Sequence, residues 1–238
     1  MPESGLIESA SLPVVSGETS APEPPWQIGE AVLQQITFEV PVPNARRNLP
    51  DAVTRSAPTY GRILVTDRAD SPVGPYREAV LMVGCRVGMI PANYVVAAVV
   101  NSEAARDAIA AYWKYLPSLG EIGFERSDDA IQSTIDAGDG LTVELHSPIG
   151  EAAAATILRW DPLLVVQPQD GAGAASEIPS EHDVKLAWLA RGSALTYSGG
   201  TRSNPWIQLR SSNPITAVAA VEGQTIEPLA VVEPMSFG

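Results

Sequence analysis

The stretch VVNSEAARDAIAAYWKYLPSLGEIGF, residues 99–124, places clear helix signals in a chain that otherwise favours strands. Asn101 or Ser102 is a suitable N-cap, and Pro117 cannot continue a helix, so we predict one principal helix at about 102–116. Apolar residues recur in this segment at helical spacing, and they are Ala105, Ile109, Tyr112, Trp113 and Leu116. One face of the helix is therefore expected to be buried.

Outside the helix the chain consists mainly of short apolar runs separated by glycine and proline. Residues 31–42 and 60–67 each predict a strand, and residues 76–100 predict two or three short ones. About ten to fourteen strands with one helix indicate a mainly β protein whose sheet closes or nearly closes, because closure removes exposed edges. A large barrel of this kind can enclose an apolar cavity.

Three segments complete the predicted organisation. Residues 1–25 are rich in Pro, Ser, Glu and Gly, so we expect a flexible acidic N-terminal arm before a single domain over 26–238. The Gly/Ala/Ser-rich stretch QDGAGAASEIPSEHD, residues 169–183, predicts a loop between strands. The stretch WIQLRS, residues 206–211, predicts another strand.

Charge and composition exclude several classes of function. The formal net charge of −13 argues against nucleic acid and anionic membrane surfaces, which both attract lysine and arginine. A lone cysteine, Cys85, and two histidines offer a poor donor set for a metal, so we expect no metal and no cofactor. No apolar run reaches roughly 18 residues and the N-terminus lacks a secretory pattern, so we expect a cytoplasmic protein.

Four motifs, in order along the chain, resemble those of the acetoacetate decarboxylase family. They are SPVGPYREAVLMVGC (71–85), the helix segment 99–124, LTYSGGTRSNPWIQL (195–209) and ITAVAAVEGQTIEPLAVVEP (215–234). The resemblance covers roughly residues 35–235. It implies a large antiparallel conical β-barrel with an apolar interior, a possible homo-oligomer, and chemistry through an imine between a lysine and a ketone substrate.

The family's site residues carry over only in part. The glutamate of the family's strand motif corresponds to Glu78, whereas the imine-forming lysine corresponds to Ser118, directly after Pro117. The family's second glutamate falls near Ile63, and its N-terminal arginine falls within residues 31–34, where this chain has no arginine. Because serine cannot form an imine, the resemblance does not by itself support decarboxylation.

Candidate site residues follow from this correspondence. Glu78 is the candidate catalytic residue, because a carboxylic acid in an apolar cavity can exchange protons with a substrate. The candidate substrate-binding residues are mostly aromatic and flank the helix or lie in the 195–209 motif: Tyr76, Tyr112, Trp113, Tyr115, Ser118, Tyr197, Arg202 and Trp206. Each aromatic residue also suits a plain core position, and Arg202 suits an exposed loop.

Three functions remain open at this point. The favoured one is an enzyme without a lysine imine that acts on a small, apolar, carbonyl-containing molecule of polyketide type. Cyclisation, cycloaddition, isomerisation and dehydration all suit a cavity that positions its substrate beside one acid. The first alternative is a decarboxylase or aldolase-type lyase that uses Lys114. The second is a non-catalytic protein that binds an apolar small molecule.

Overall fold

The computed structural model describes residues 3–158, 160–169, 172–211 and 213–232. Three helices occur in this part of the chain: α1 Val42–Arg47, α2 Glu103–Trp113 and α3 Pro205–Gln208. The described part of the chain also forms fifteen strands. They are β1 Trp26–Glu39, β2 Thr54–Arg55, β3 Tyr60–Arg68, β4 Tyr76–Val87, β5 Ile90–Val100, β6 Ser118–Leu119, β7 Ile122–Arg126, β8 Ala130–Asp136, β9 Thr142–Pro148, β10 Leu163–Gln169, β11 Ala172–Ile178, β12 Ser180–Leu189, β13 Ala194–Ser198, β14 Pro214–Ile226 and β15 Ala230–Val231. The mainly β class predicted from the sequence is confirmed.

The strands form two sheets. The larger runs in the order β12-β14-β1-β3-β4-β5-β10-β11-β15, with β2 added to β4 and β6 added to β5. The smaller runs in the order β13-β9-β8-β7. Pairing is mostly antiparallel, but β5 pairs in parallel with both β6 and β10, so the larger sheet is mixed.

The central strands of the larger sheet are covered on both faces. Ile63, Leu81 and Val83 pack in one core cluster, which also contains Ile131 and Val143 of the smaller sheet. On the opposite face a second cluster brings α2 against β4, with members including Tyr76, Met82, Ile109 and Trp113. Burial on both faces explains why residues 76–100 are almost continuously apolar. These residues form two long strands, whereas the sequence predicted two or three short ones.

Helix α2 begins as predicted and ends earlier. The Ser102 hydroxyl accepts a hydrogen bond from the Ala105 N–H at 3.3 Å, which identifies Ser102 as the N-cap. Lys114 has φ 59°, a left-handed conformation that terminates the helix three residues before Pro117. The turn that follows removes Leu116 from the apolar stripe, and this side chain is 64% exposed.

Two predicted segments adopt a different structure. Most of the predicted loop 169–183 forms β11 and β12, because pairing with β10 and β14 outweighs the weak strand preference of Gly, Ala and Ser; residues 170 and 171 lie outside the described residues. The predicted strand at 206–211 instead contains α3, where Asn204 Oδ1 accepts a hydrogen bond from the Trp206 N–H at 3.0 Å.

The N-terminal segment makes contacts along the domain. Glu3 forms an ion pair with Arg55 at 2.9 Å, and Ile7 bridges to Pro50. Further along, the Tyr112 hydroxyl donates a hydrogen bond to the Ala21 carbonyl at 2.7 Å. A domain boundary at residue 26 stays a prediction. Among the described helices, none has the length and apolar character needed to cross a bilayer.

Candidate active site

A cavity of about 270 Å³ lies between the α2-facing side of the larger sheet and the chain segments 160–163 and 177–182. Much of its wall is apolar, formed by Leu64, Met82, Ile109, Trp113, Leu163, Ile178 and Ile226. Polar side chains from β1, β3, β4, β5, β12 and β14 also line it, and they include Gln35, Arg62, Arg68, Glu78, Asn93, His182 and Gln224. The arrangement suits a small molecule with an apolar body and few polar groups.

Strand alternation and register bring the acidic and basic groups together. Arg62, Leu64 and Arg68 share one face of β3, and Tyr76 and Glu78 share the corresponding face of β4. Arg68 lies directly opposite Tyr76 in the β3–β4 pairing, so it is also a near neighbour of Glu78. Ile63 and Val65 point to the other face and join the core, so position 63 does not line the cavity.

Glu78 is buried and held from two sides. Its Oε2 receives a hydrogen bond and ion pair from Arg68 Nη1 at 2.9 Å. Its Oε1 accepts a hydrogen bond from the Tyr115 hydroxyl at 2.6 Å. Both partners of the ion pair are nearly inaccessible, with side-chain exposures of 7% and 6%. These two hydrogen bonds fix the orientation of the carboxylate, and the guanidinium offsets part of the cost of burying its charge.

The surrounding groups keep their protons. Burial raises the pKa of Tyr115 well above its ordinary value and Glu78 raises it further, so the phenol remains a hydrogen-bond donor. Burial also raises the pKa of Tyr76 to about 12, although the Arg68 cation opposes this shift. Burial would lower the pKa of Arg68, but Tyr76, Glu78 and Tyr115 outweigh it and raise that pKa, so the guanidinium stays charged.

From Arg68, hydrogen bonds continue along the cavity wall to a histidine. Arg68 Nε donates to Gln224 Oε1 at 3.2 Å, and Gln224 Nε2 donates to Glu222 Oε1 at 2.5 Å. The same Glu222 oxygen lies 3.0 Å from His182 Nδ1. The His182 ring stacks on Trp160 with ring centroids 3.8 Å apart and planes within 2°. A continuous series of side-chain contacts thus joins Arg68, Gln224, Glu222, His182 and Trp160.

Another polar part of the cavity surrounds Asp161. Arg62 Nη2 lies 3.8 Å from Asp161 Oδ2, and the Tyr60 hydroxyl lies 3.4 Å from the same oxygen. Asn93 Nδ2 donates to the Asp161 carbonyl at 3.2 Å, which fixes the orientation of the amide. Oδ1 of Asn93 is buried and has no hydrogen-bond partner among the described residues. An acceptor in this position suits a donor group on a bound molecule.

The structure brings four of the nine predicted site residues to the cavity. Glu78, Tyr76, Trp113 and Tyr115 all line it. Trp113 also donates from Nε1 to the Glu227 carbonyl at 2.9 Å, so it anchors α2 at the cavity wall. The catalytic and binding roles of these four residues stay predictions.

The other five predicted residues do not line this cavity. Tyr112 is bonded to the N-terminal segment, and Ser118 is exposed on β6, where it pairs with Val99. Tyr197 lies on β13 of the smaller sheet. Trp206 is 2% exposed inside the core and Arg202 is exposed in the preceding turn. In the turn after α2, Tyr115 and not Ser118 is the residue that reaches Glu78, because the helix ends at Trp113.

Several cavity residues were missed from the sequence, chiefly Arg62, Arg68, Asn93, Trp160, His182 and Gln224. The spacing of Arg62 and Arg68 was an available signal, since an even separation places them on one strand face. Charged residues near strand ends are usually solvated, which made that signal weak. His182 fell within the predicted loop, where no face could be assigned to it.

Neither lysine lines the cavity. Lys114 Nζ donates to the Ala111 carbonyl at 2.6 Å, at the end of α2. Lys185 Nζ donates to the Gly29 carbonyl at 2.9 Å, and this contact is exposed. Over the described residues, no group of three or more His, Cys, Asp and Glu side chains is placed to hold a metal ion.

Comparison with known proteins places the fold. No protein-family model matches the chain, and no curated protein matches its sequence. Solved structures do match. Acetoacetate decarboxylase from Legionella pneumophila subsp. pneumophila strain Philadelphia 1 is similar with a TM-score of 0.78 and 14% identity, over 97% of this chain and 96% of that chain.

Two further matches carry other names. The enduracididine biosynthesis enzyme MppR, complexed with pyruvate, matches with a TM-score of 0.72 and 14% identity over 91% of this chain and 93% of that one. An acetoacetate decarboxylase-like enzyme from Sphingomonas wittichii RW1 matches with a TM-score of 0.68 and 14% identity over 92% of this chain and 100% of that one. The chain therefore has the acetoacetate decarboxylase-like fold, which confirms the fold expected from its motifs.

Proposed function

We propose that the chain is an enzyme that performs acid–base chemistry on a small carbonyl compound without forming a lysine imine. The observation that carries this proposal is the buried constellation of Glu78, Arg68 and Tyr115 on the wall of an otherwise apolar cavity. A proton acceptor, a fixed cation and a neutral hydroxyl donor are the groups that carbonyl acid–base catalysis requires.

The three groups divide the work as follows. Glu78 removes a proton from the carbon next to the substrate carbonyl. As Glu78 takes up this proton it becomes a weaker hydrogen-bond acceptor, so the Tyr115 hydroxyl is released from Glu78 and donates to the carbonyl oxygen instead. The Arg68 cation also stabilises the negative charge that develops on that oxygen. General-base catalysis contributes about 10²–10⁴-fold, and one well-placed donor to the oxyanion contributes about 10²–10³-fold. The apolar walls exclude water, which strengthens both contributions.

An enolate formed in this way can react further inside the cavity. Isomerisation and dehydration proceed directly from it, and cyclisation follows when the cavity holds a flexible polyketide-like chain in a reactive shape. Positioning of the substrate alone can lower an activation barrier by about 7–11 kcal/mol at best. A cycloaddition, which needs no proton transfer, can be accelerated in this way. The buried acceptor Oδ1 of Asn93 favours a substrate that carries a hydroxyl or N–H group.

Lysine geometry supports this proposal over an imine-forming lyase. The Lys114 ammonium is bonded to the end of its own helix, and the described cavity lining contains no amine. The alternative of a non-catalytic protein that binds an apolar molecule has less support. A pocket for such a molecule needs no buried ion pair, and burying Arg68 and Glu78 costs desolvation free energy while adding little net stability. We therefore retain catalysis as the function to be tested.

The test measures α-proton exchange in D2O by NMR, with simple ketones, pyruvate and small aldehydes as probes. Pyruvate belongs in this panel because MppR, which has a similar fold, is complexed with it. The wild-type protein should accelerate exchange, and Glu78→Gln should lose about 10²-fold or more of that acceleration. Glu125→Gln, at an exposed position on β7, is the matched control and should retain it. Equal rates in the wild type and Glu78→Gln would contradict the proposal.

A further inference from the structure

We propose that His182, oriented by Glu222, is a second proton-transfer residue of the same cavity. This inference rests on the proposed function and extends it, because it makes the reaction a proton shift between two substrate carbons. His182 lines the cavity on β12, whereas Glu78 lies on β4, and the described contacts join them only indirectly. Two proton-transfer groups on separate elements can address two different atoms of one bound molecule.

The geometry of the imidazole is set by two neighbours. Glu222 lies behind the ring, is 0% exposed, and contacts Nδ1 at 3.0 Å. Because a carboxylate only accepts hydrogen bonds, His182 Nδ1 carries the proton and Nε2 is the nitrogen left for a ligand. Trp160 stacks flat on the ring, which restricts its rotation. Glu222 is thus a positioning residue and His182 is the group that meets the substrate.

The buried position of Glu222 leaves one of its two carboxylate oxygens without a hydrogen bond in the described part of the chain. Gln224 Nε2 donates to its Oε1, but its Oε2 is buried without a hydrogen-bond partner among the described residues. A buried carboxylate oxygen left unpaired is expensive, and such groups concentrate at functional sites. Gln224 also accepts from Arg68, so one amide orients both the Arg68–Glu78 pair and the Glu222–His182 pair.

The proposed step is an isomerisation of a β,γ-unsaturated ketone. Glu78 takes the α-proton; the C–H electrons form a C=C bond and the carbonyl electrons move onto oxygen, giving a dienolate. His182, after taking a proton from solvent on Nε2, gives that proton to the γ-carbon and keeps its Nδ1 proton directed at Glu222. The C=O bond then re-forms and the C=C bond ends up in the α,β position. One proton is taken and one is given, and exchange with solvent restores both residues without any co-reactant.

The functional test uses cyclohex-3-en-1-one as the probe, in D2O. Two quantities are followed: α-proton exchange by NMR, and formation of the conjugated ketone by ultraviolet absorbance. His182→Gln should lower the rate of conjugation by about 10²-fold and should lower the rate of α-exchange much less, because Glu78 is intact. Glu78→Gln should lose both. The exposed His146→Gln variant is the control and should lose neither.

Outcomes separate the two proposals. Wild-type conjugation that survives in His182→Gln, together with Glu78-dependent exchange, overturns the role of His182 and leaves the proposed function standing. An absence of both exchange and conjugation in the wild type counts against the proposed function itself. Glu222→Gln should lower kcat with little change in KM, whereas a purely structural role would lower the melting temperature and leave kcat per folded molecule unchanged.

A spectroscopic measurement tests the geometry independently of activity. The chain has two histidines, so ¹⁵N-histidine labelling of the His146→Gln variant leaves His182 as the labelled histidine whose two ring nitrogens are observed. We expect a protonated Nδ1 whose hydrogen-bonded proton resonance disappears in Glu222→Gln. An unprotonated Nδ1 in the wild type would overturn the proposed orientation.

Discussion

The Tyr115 hydroxyl lies 2.6 Å from Oε1 of Glu78, although it comes from the turn after α2 and Glu78 from the middle of the larger sheet. This contact explains what the turn at residues 114–119 does in a chain that lacks a lysine after Pro117. The left-handed Lys114 ends the helix early and directs the next side chain into the cavity. A neutral hydroxyl therefore stands beside the glutamate.

Replacing one partner of the Arg68–Glu78 ion pair should lower the free energy of unfolding more than replacing both partners together. Arg68→Leu leaves a buried carboxylate uncompensated and should cost about 3–5 kcal/mol, measured by urea unfolding. The double variant Arg68→Leu/Glu78→Leu should recover most of that loss. Arg191→Leu breaks the exposed pair with Glu151 and should change stability little. An Arg68→Leu variant as stable as Arg191→Leu would contradict the buried pair.

Alkaline pH should destabilise the protein through its buried tyrosines. Burial raises the pKa of Tyr76 to about 12, above the unfolded value of about 10, so the unfolded chain releases this proton first. The stabilisation is complete below about pH 10 and is lost as pH rises to about 12, at roughly 1.4 kcal/mol per pH unit. Burial acts on Tyr94 and Tyr197 in the same way.

Substitution isolates the contribution of one ring. In Tyr76→Phe, the decline of unfolding free energy between about pH 10 and 12 should be shallower by roughly 1.4 kcal/mol per pH unit. Denaturant titrations at a series of pH values provide the measurement. Identical slopes in the wild type and Tyr76→Phe would show that Tyr76 ionises equally easily in the folded and unfolded states.

The lysines should not react with carbonyl compounds. After incubation with pyruvate or ketones and borohydride, intact-protein mass should show no reduced adduct, because both ammonium groups are bonded to backbone carbonyls outside the cavity. The variant Lys114→Gly suits the left-handed backbone at this position and should fold normally. A stoichiometric adduct that disappears in Lys114→Gly would instead establish an imine-forming enzyme.

Asn93 should select ligands that carry a donor group. Its buried Oδ1 can accept a hydrogen bond from a bound hydroxyl, and leaving it unpaired costs about 1–3 kcal/mol. We expect 4-hydroxycyclohexanone to bind about tenfold more tightly than 4-methylcyclohexanone, measured by calorimetry. Asn93→Leu should abolish the difference. A preference that persists in Asn93→Leu would assign the selectivity to another group.

The sequence was most informative where local periodicity decides the structure. The mainly β class and the capped start of α2 follow from alternation and capping chemistry, whereas the expectation that Glu78 lies in a cavity came from the resemblance to the acetoacetate decarboxylase family. The sequence was least informative where contacts between distant segments decide. Strand pairing turned the predicted loop 169–183 into β11 and β12, and that change placed His182 in the cavity. The Arg68–Glu78 pair depends on the register between β3 and β4, which neither strand specifies alone.

The most direct measurement of the central claim compares α-proton exchange in D2O for three proteins: the wild type, Glu78→Gln, and the lysine-free variant Lys114→Gly/Lys185→Ala. If the cavity works by acid–base chemistry without an imine, the lysine-free protein exchanges at the wild-type rate and Glu78→Gln loses about 10²-fold or more. Loss of exchange in the lysine-free protein, with exchange retained in Glu78→Gln, would contradict the claim.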